Sequence, residues 1–147
     1  METVNTQQAQ RVWQRVHGTQ PEDSTIDPLP RLIAGEWESA AACLYLARRT
    51  GGKYAPTLRQ LAQHSRSRWA CLQGRTLLDT GKRPRHTHPA ALSGLPAEIL
   101  TGCCRDAQER IAQYSQCTQL GPLAPLLSQE QARDCRMLLE ILGNWEL

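Results

Sequence analysis

The side chains of this chain that could do chemistry include polar residues that recur on otherwise apolar faces of predicted helices. On heptad-spaced stripes near the middle of their helices lie Glu38, Ser65, Arg68, Gln131 and Asp134. Carboxylates in such positions either ligate metal ions or pair with buried cations. Because an isolated buried charge is costly, Arg68 needs an acidic partner if its stripe faces the core. The pattern predicts a polar layer inside an apolar core.

Six cysteines form the second reactive group. They contain no C-x-x-C pair, so their spacing indicates neither a zinc ribbon, a rubredoxin-type iron centre nor a thioredoxin motif. Four of them occur one per predicted helix but at different heights: Cys43, Cys71, Cys104 and Cys135. Nothing in the sequence brings them together, so we expect reduced thiols that fill the core as small hydrophobes.

The elements that position these side chains are predicted to be helices. Among 147 residues there are 20 Leu and 16 Ala against 3 Val and 5 Ile, a composition that favours helix over pleated sheet. Proline and glycine clusters divide the chain into helices predicted over 28–49, 57–80, 97–118 and 123–142, with a short amphipathic helix over 7–17. The pattern predicts one all-α domain over 1–147, folded as a four-helix bundle.

Charge and hydropathy argue against two classes of partner. The formal net charge is +3 and the basic residues are scattered, which is not typical of a nucleic-acid interface. The chain has no apolar stretch near the roughly 20 residues needed to cross a bilayer, and its first residues lack the apolar core of a signal peptide. We expect a cytoplasmic protein that binds neither nucleic acid nor membrane.

The helical pattern resembles the ferritin-like superfamily, specifically its rubrerythrin-type domain, over about 29–143. Members of that family carry a Glu followed seven residues later by a Tyr on the first and third helices, and Glu-x-x-His on the second and fourth. This chain has Glu38 and Tyr45 on the first helix and Tyr114 on the third. The other ligand positions hold Ala107, Ser65, Arg68, Gln131 and Asp134. The resemblance implies an antiparallel bundle with a degenerate di-metal centre.

This degenerate ligand set implies that no metal cofactor is bound. A di-iron site needs roughly four carboxylates and two imidazoles, whereas a permanently cationic Arg68 at a His position repels metal ions. In the resembled fold Glu38 and Asp134 converge on the same centre. We therefore expect Arg68 to be bridged to Glu38, Asp134 or both, with Ser65 and Gln131 completing its hydrogen bonds. We expect Tyr45 and Tyr114 to pack at the same centre, with their hydroxyls held by hydrogen bonds.

Two classes of function remain open. The first is a non-catalytic bundle that works as an interaction or assembly module, with a second copy of the chain or another protein as partner. The second is an atypical rubrerythrin-like oxidoreductase for peroxide or iron chemistry, with iron or manganese on rearranged ligands: Glu38, His64, Glu130 and Asp134. A small-ligand site in the polar centre is a third option. The loss of standard ligands favours the first class, with no catalytic residues and no cofactor.

Overall fold

The computed structural model describes residues 27–84 and 92–145, which form four long helices. These are α1 (Leu29–Thr50), α2 (Ala55–Thr80), α3 (Pro96–Gln116) and α4 (Leu123–Gly143), with a 3-10 turn at Thr118–Leu120. The described residues contain no strand, so the predicted all-α class is confirmed for them. Each predicted boundary of the four helices lies within two residues of the observed one. The helix predicted over 7–17 lies outside the described residues.

Proline and glycine set several of the helix ends. Proline occupies one of the first two positions of α1, α2 and α3, where its missing N–H removes no helical hydrogen bond. The Asp27 carboxylate accepts a hydrogen bond from the Leu29 N–H at the start of α1, at 2.8 Å. Gly81 follows α2 in the left-handed conformation, with φ 74°, and its N–H donates to the Leu77 carbonyl. These ends fix which residues lie at mid-height in each helix.

Two apolar clusters form the core. The larger cluster draws on all four helices and includes Leu46, Leu58, Leu100 and Leu138. The smaller cluster includes Leu32, Leu72, Tyr114 and Leu127. Along each helix the buried polar residues lie between the stretches that supply these two clusters. The predicted polar layer is therefore present within an apolar core.

The helices pack in pairs, α1 against α2 and α3 against α4, and α1 also contacts α3. Side chains in the middle of α1 can thus reach both α2 and α3. Within the described ranges, the helices lack the combination of length and apolar character that a membrane span requires.

Candidate functional site

Arg68 of α2 is the centre of the buried polar layer, with 1% of its surface exposed. Its Nε donates to Glu36 Oε2 at 2.7 Å, and its Nη1 donates to Asp134 Oδ2 at 2.8 Å and to Glu130 Oε1 at 3.0 Å. Its Nη2 donates to Ser65 Oγ at 3.4 Å. Burial opposes the charge of the guanidinium, but the carboxylates of Glu36 and Asp134 raise the pKa of Arg68 above its ordinary value. Arg68 is therefore a fixed cation among acids from α1 and α4.

Glu36 of α1 is fully buried and connects three helices. Besides its bond with Arg68, it accepts a hydrogen bond from the Tyr114 hydroxyl of α3. Its other oxygen, Oε1, lies 3.8 Å from Arg110 Nε, also of α3. Burial and the adjacent Glu36 carboxylate raise the pKa of Tyr114. The phenol therefore stays protonated and is the donor of this hydrogen bond.

Arg110 is a second buried cation, 4% exposed, with a different set of partners. Its Nε donates to the side-chain oxygen of Gln131 at 3.0 Å, and its Nη1 donates to the Gly35 carbonyl at 3.4 Å. Its Nη2 has no hydrogen-bond partner among the described residues. A Cβ at position 35 would lie 3.3 Å from Arg110 Cδ, so glycine at this position lets the arginine pass close to α1.

The acids and imidazole of α2 and α4 form the more exposed part of the layer. His64, whose side chain is 34% exposed, has Nδ1 at 2.9 Å from Asp134 Oδ1. Glu130 is exposed to a similar extent, and it reaches Arg68 from this side. Toward α1, the Ser65 hydroxyl donates to Ser39 Oγ at 3.2 Å. The layer therefore grades from fully buried ion pairs to half-buried ones.

Two residues that the sequence analysis places in this layer lie outside it. Glu38 is exposed, and its predicted pairing with Arg68 is wrong because Glu36 makes that ion pair. Tyr45 is half-buried, and the Arg49 guanidinium covers its ring at 4.6 Å from the ring centre. Both differences have one cause, since the buried face of α1 is rotated from the predicted stripe.

The other predicted residues lie in the layer, although not always with the expected partners. Arg68 has the expected contacts with Asp134 and Ser65. Gln131 is buried as expected, but it accepts a hydrogen bond from Arg110 instead of from Arg68. The amide of Gln131 therefore serves a second cation that the sequence analysis did not place in the core.

Sequence reasoning missed Glu36, Ser39 and Arg110. A signal for the arginine exists, because Arg110 follows Ala107 by three residues and precedes Tyr114 by four, a spacing typical of one helix face. Glu36 has the same kind of spacing within the buried residues of α1. Both signals compete with the general preference of long charged side chains for the surface.

The alternative metal ligands do not share a cation site. His64, Glu130 and Asp134 lie around Arg68, whereas Glu38 lies apart from them on the exposed side of α1. Within 27–84 and 92–145, the chain has no group of three or more His, Cys, Asp or Glu side chains that could hold a metal ion.

Comparisons of the chain with protein-family models, with curated proteins and with solved structures give no match. Arginine stays protonated in proteins, so the two buried guanidiniums are permanent donors to the surrounding oxygens. Charge-assisted hydrogen bonds of this kind tie α1, α2, α3 and α4 together at mid-height.

Proposed function

We propose that this chain is a ferritin-like antiparallel bundle in which an arginine-centred ion-pair layer takes the place of a di-metal centre. The layer stabilises the fold and supports no metal-dependent oxidation chemistry. The observation that carries this proposal is the Arg68 guanidinium, whose nitrogens lie within 3.0 Å of oxygens from three carboxylates. In the resembled family, acids from the helices converge on metal ions at mid-height. Here acids from α1 and α4 converge on a cation of the protein itself.

The residues present do not fit a di-iron or di-manganese centre. Such a centre needs roughly four carboxylates and two imidazoles. The positive charge of Arg68 lies between Glu36 and Asp134, where it would repel a metal ion bound to either acid. On α1 the chain also matches the resembled family less well than the pair Glu38 and Tyr45 suggests. With Glu36 as the buried acid, the residue seven positions later is Cys43 and not a tyrosine.

The role we propose for the bundle is that of an interaction or assembly module, whose partner is a second copy of the chain or another protein. Large apolar side chains on its surface are the candidates for contact with such a partner. Leu78 is 83% exposed, Leu95 is 65% exposed and Leu126 is 60% exposed. When a partner covers exposed apolar side chains, apolar surface is removed from water, which favours binding.

Metal analysis of the full chain, purified from cells supplied with iron and manganese, tests the proposed loss of the metal centre. We expect far less than one metal ion per chain. The metal content of the unmodified chain is the primary result, because Asp134→Ala removes an ion-pair partner of Arg68 as well as a candidate metal ligand. Near-stoichiometric iron or manganese that is lost in Asp134→Ala but kept in the exposed control Glu140→Ala would overturn the proposal. That result would favour the oxidoreductase with rearranged ligands.

Sedimentation analysis of the same preparation tests the partner. A dimer that dissociates on dilution supports a second copy as the partner, and substitution of Leu126 by Gln should weaken a dimer formed through that face of α4. A chain that stays monomeric at every concentration rules out self-assembly as its role.

A further inference from the structure

A cleft of about 390 Å³ lies between α1 and α3, beside the charged layer. The charged residues of its lining are Arg110, which is 4% exposed, and the exposed acids Glu38 and Asp106. Pockets for small molecules begin at about 300 Å³, so the cleft is large enough for one. None of the roles proposed above uses it.

Two nearly buried side chains of the lining, Arg110 and Ser39, each keep a hydrogen-bond donor without an acceptor among the described residues. Arg110 Nη2 has no hydrogen-bond partner there, and the Glu36 oxygen that faces this arginine is 3.8 Å from Nε, beyond hydrogen-bond distance. Arg68 donates to the Ser65 hydroxyl, which in turn donates to Ser39 Oγ. This chain of donors leaves the Ser39 proton for an acceptor outside the layer. Two such donors fit the two oxygens of a carboxylate.

The exposed part of the cleft carries the opposite charge. It is lined by one carboxylate from each helix, Glu38 of α1 and Asp106 of α3. In the part of the chain that the structure describes, neither carboxylate forms an ion pair. Asp106 precedes Arg110 by four residues, so both side chains leave the same face of α3, with about 5–6 Å between their Cβ atoms. The cleft therefore offers acceptors for a cation one helical turn away from donors for an anion.

The other end of the cleft is apolar. Ala42 lines it on α1, Ile99 lines it on α3, and Leu92 lines it from the segment before α3. Ile99 lies about three helical turns before Arg110, whose bond to the Gly35 carbonyl marks the charged end. An apolar group of a ligand that lies at this end is removed from water, which favours binding.

We propose that the cleft binds a free α-amino acid with a large apolar side chain. The carboxylate of the amino acid accepts hydrogen bonds from Arg110 and Ser39. Its ammonium group pairs with Asp106 and Glu38, and its side chain extends toward Ile99. An α-amino acid carries both charges on one carbon atom, which matches charges of opposite sign one turn apart on α3. In a peptide the terminal charges are separated by the intervening residues, so a peptide cannot satisfy both groups at once.

Calorimetric titration of the full chain with L-leucine, L-methionine and L-phenylalanine tests this proposal. We expect at least one of them to bind, and glycine, which lacks a side chain, to bind more weakly. The amide of the best binder lacks the carboxylate and its N-acetyl derivative lacks the ammonium group. Each should bind about tenfold more weakly, because charge-assisted hydrogen bonds are lost. Equal affinity for the amino acid and its amide, or no binding of any of the three at millimolar concentration, would overturn the proposal.

A variant at the exposed end of the cleft tests the partner of the ammonium group. Asp106→Asn should weaken binding of the amino acid severalfold without weakening binding of its N-acetyl derivative. Glu140→Gln on α4 is the matched control and should change neither affinity. Both sites are exposed, so neither substitution should unfold the bundle. Unchanged affinity of Asp106→Asn for the amino acid would contradict the proposed pairing.

Nuclear magnetic resonance of the unmodified chain tests the location of the bound amino acid. The amide signals of Gly35 and Gly102, which line the cleft, should shift on titration, whereas the signal of Gly74 on α2 should not. Shifts confined to residues outside the cleft would overturn the assignment of the site. The result depends neither on metal content nor on a variant of the buried arginine, so its failure is distinguishable from a failure of the proposed function.

Discussion

Arg68 and Arg110 are buried to nearly the same degree in the same layer, but their partners differ. Arg68 lies within 3.0 Å of oxygens from three carboxylates. Arg110 donates to the Gln131 amide and to a backbone carbonyl, and its ion pair with Glu36 is longer, at 3.8 Å. Arg110 also lines an open cleft between α1 and α3. The two arginines therefore share a residue type and an environment without sharing a role.

This difference shows that the partners of a buried charge decide what the charge contributes. A cation whose partners are anions cannot be removed without leaving those anions buried and unpaired, which is strongly unfavourable. A cation whose hydrogen-bond partners are neutral leaves behind acceptors with a much smaller desolvation penalty. Arg68 is the first kind, and its role is to hold the layer together. Arg110 is closer to the second kind, and it links α3 to the Gln131 amide of α4 and the Gly35 carbonyl of α1.

The largest effect is expected for the loss of Arg68. Arg68→Met should lower the free energy of unfolding by about 3–5 kcal/mol, because methionine fills much of the space but leaves Glu36 and Asp134 without their cation. Arg110→Met should lower it by about 1–3 kcal/mol, since the groups it leaves unpaired are mainly neutral. Urea unfolding followed by circular dichroism measures both.

Two further variants test the reason for that difference. Arg59→Met, at an exposed site on the same helix, should change the free energy of unfolding by less than about 0.5 kcal/mol. Adding Glu36→Gln and Asp134→Asn to Arg68→Met should recover part of the loss, because no unpaired charge then stays buried. Equal losses for Arg68→Met and Arg110→Met would contradict the partner-based explanation.

The sequence predicts the helices well because their signals are local. Proline near the helix starts and glycine after the helix ends act within one turn, so the predicted ends lie within two residues of those observed. The burial of Arg68 and of Asp134 follows from the apolar neighbours on either side of each residue in its stripe, so here too the information lies within one helix. Their pairing joins two helices, and it is expected only from the resemblance to the ferritin-like bundle.

The rest of the site depends on how the helices are rotated and stacked, which one sequence leaves open. On α1, both Glu36 and Glu38 have apolar residues three and four positions away, so spacing alone allows either acid to be buried, and the contacts with α2 and α3 decide for Glu36. The bond between Arg110 and Gln131 likewise depends on the height of α3 against α4. Spacing within one helix does not determine either the rotation or the relative height of two helices.

An intermediate effect is expected at the tyrosine that bonds to the centre of the layer. Tyr114→Phe should lower the free energy of unfolding by about 1.5–3 kcal/mol, because it removes a hydrogen bond to the buried carboxylate of Glu36. Tyr45→Phe is the matched control, since Tyr45 is half-buried outside the layer, and its effect should stay below about 0.5 kcal/mol. Urea unfolding of both variants measures the two effects. A larger decrease in the free energy of unfolding for Tyr45→Phe than for Tyr114→Phe would contradict the conclusion that Tyr114 belongs to the layer and Tyr45 does not.

The smallest effect is expected where the acids of the layer reach solvent. Glu130→Gln removes one of the three carboxylates around Arg68, but its side chain is 36% exposed, so screening by water limits the loss to about 0.2–1 kcal/mol. The loss should shrink further in high salt. Glu38→Gln, on the exposed side of α1, should be neutral within about 0.5 kcal/mol. If Glu130→Gln lowers the free energy of unfolding by more than about 3 kcal/mol, Arg68 depends on its half-buried acid as much as on Glu36 and Asp134. The difference between Arg68 and Arg110 would then come from the number of carboxylates around each arginine and not from the burial of those carboxylates.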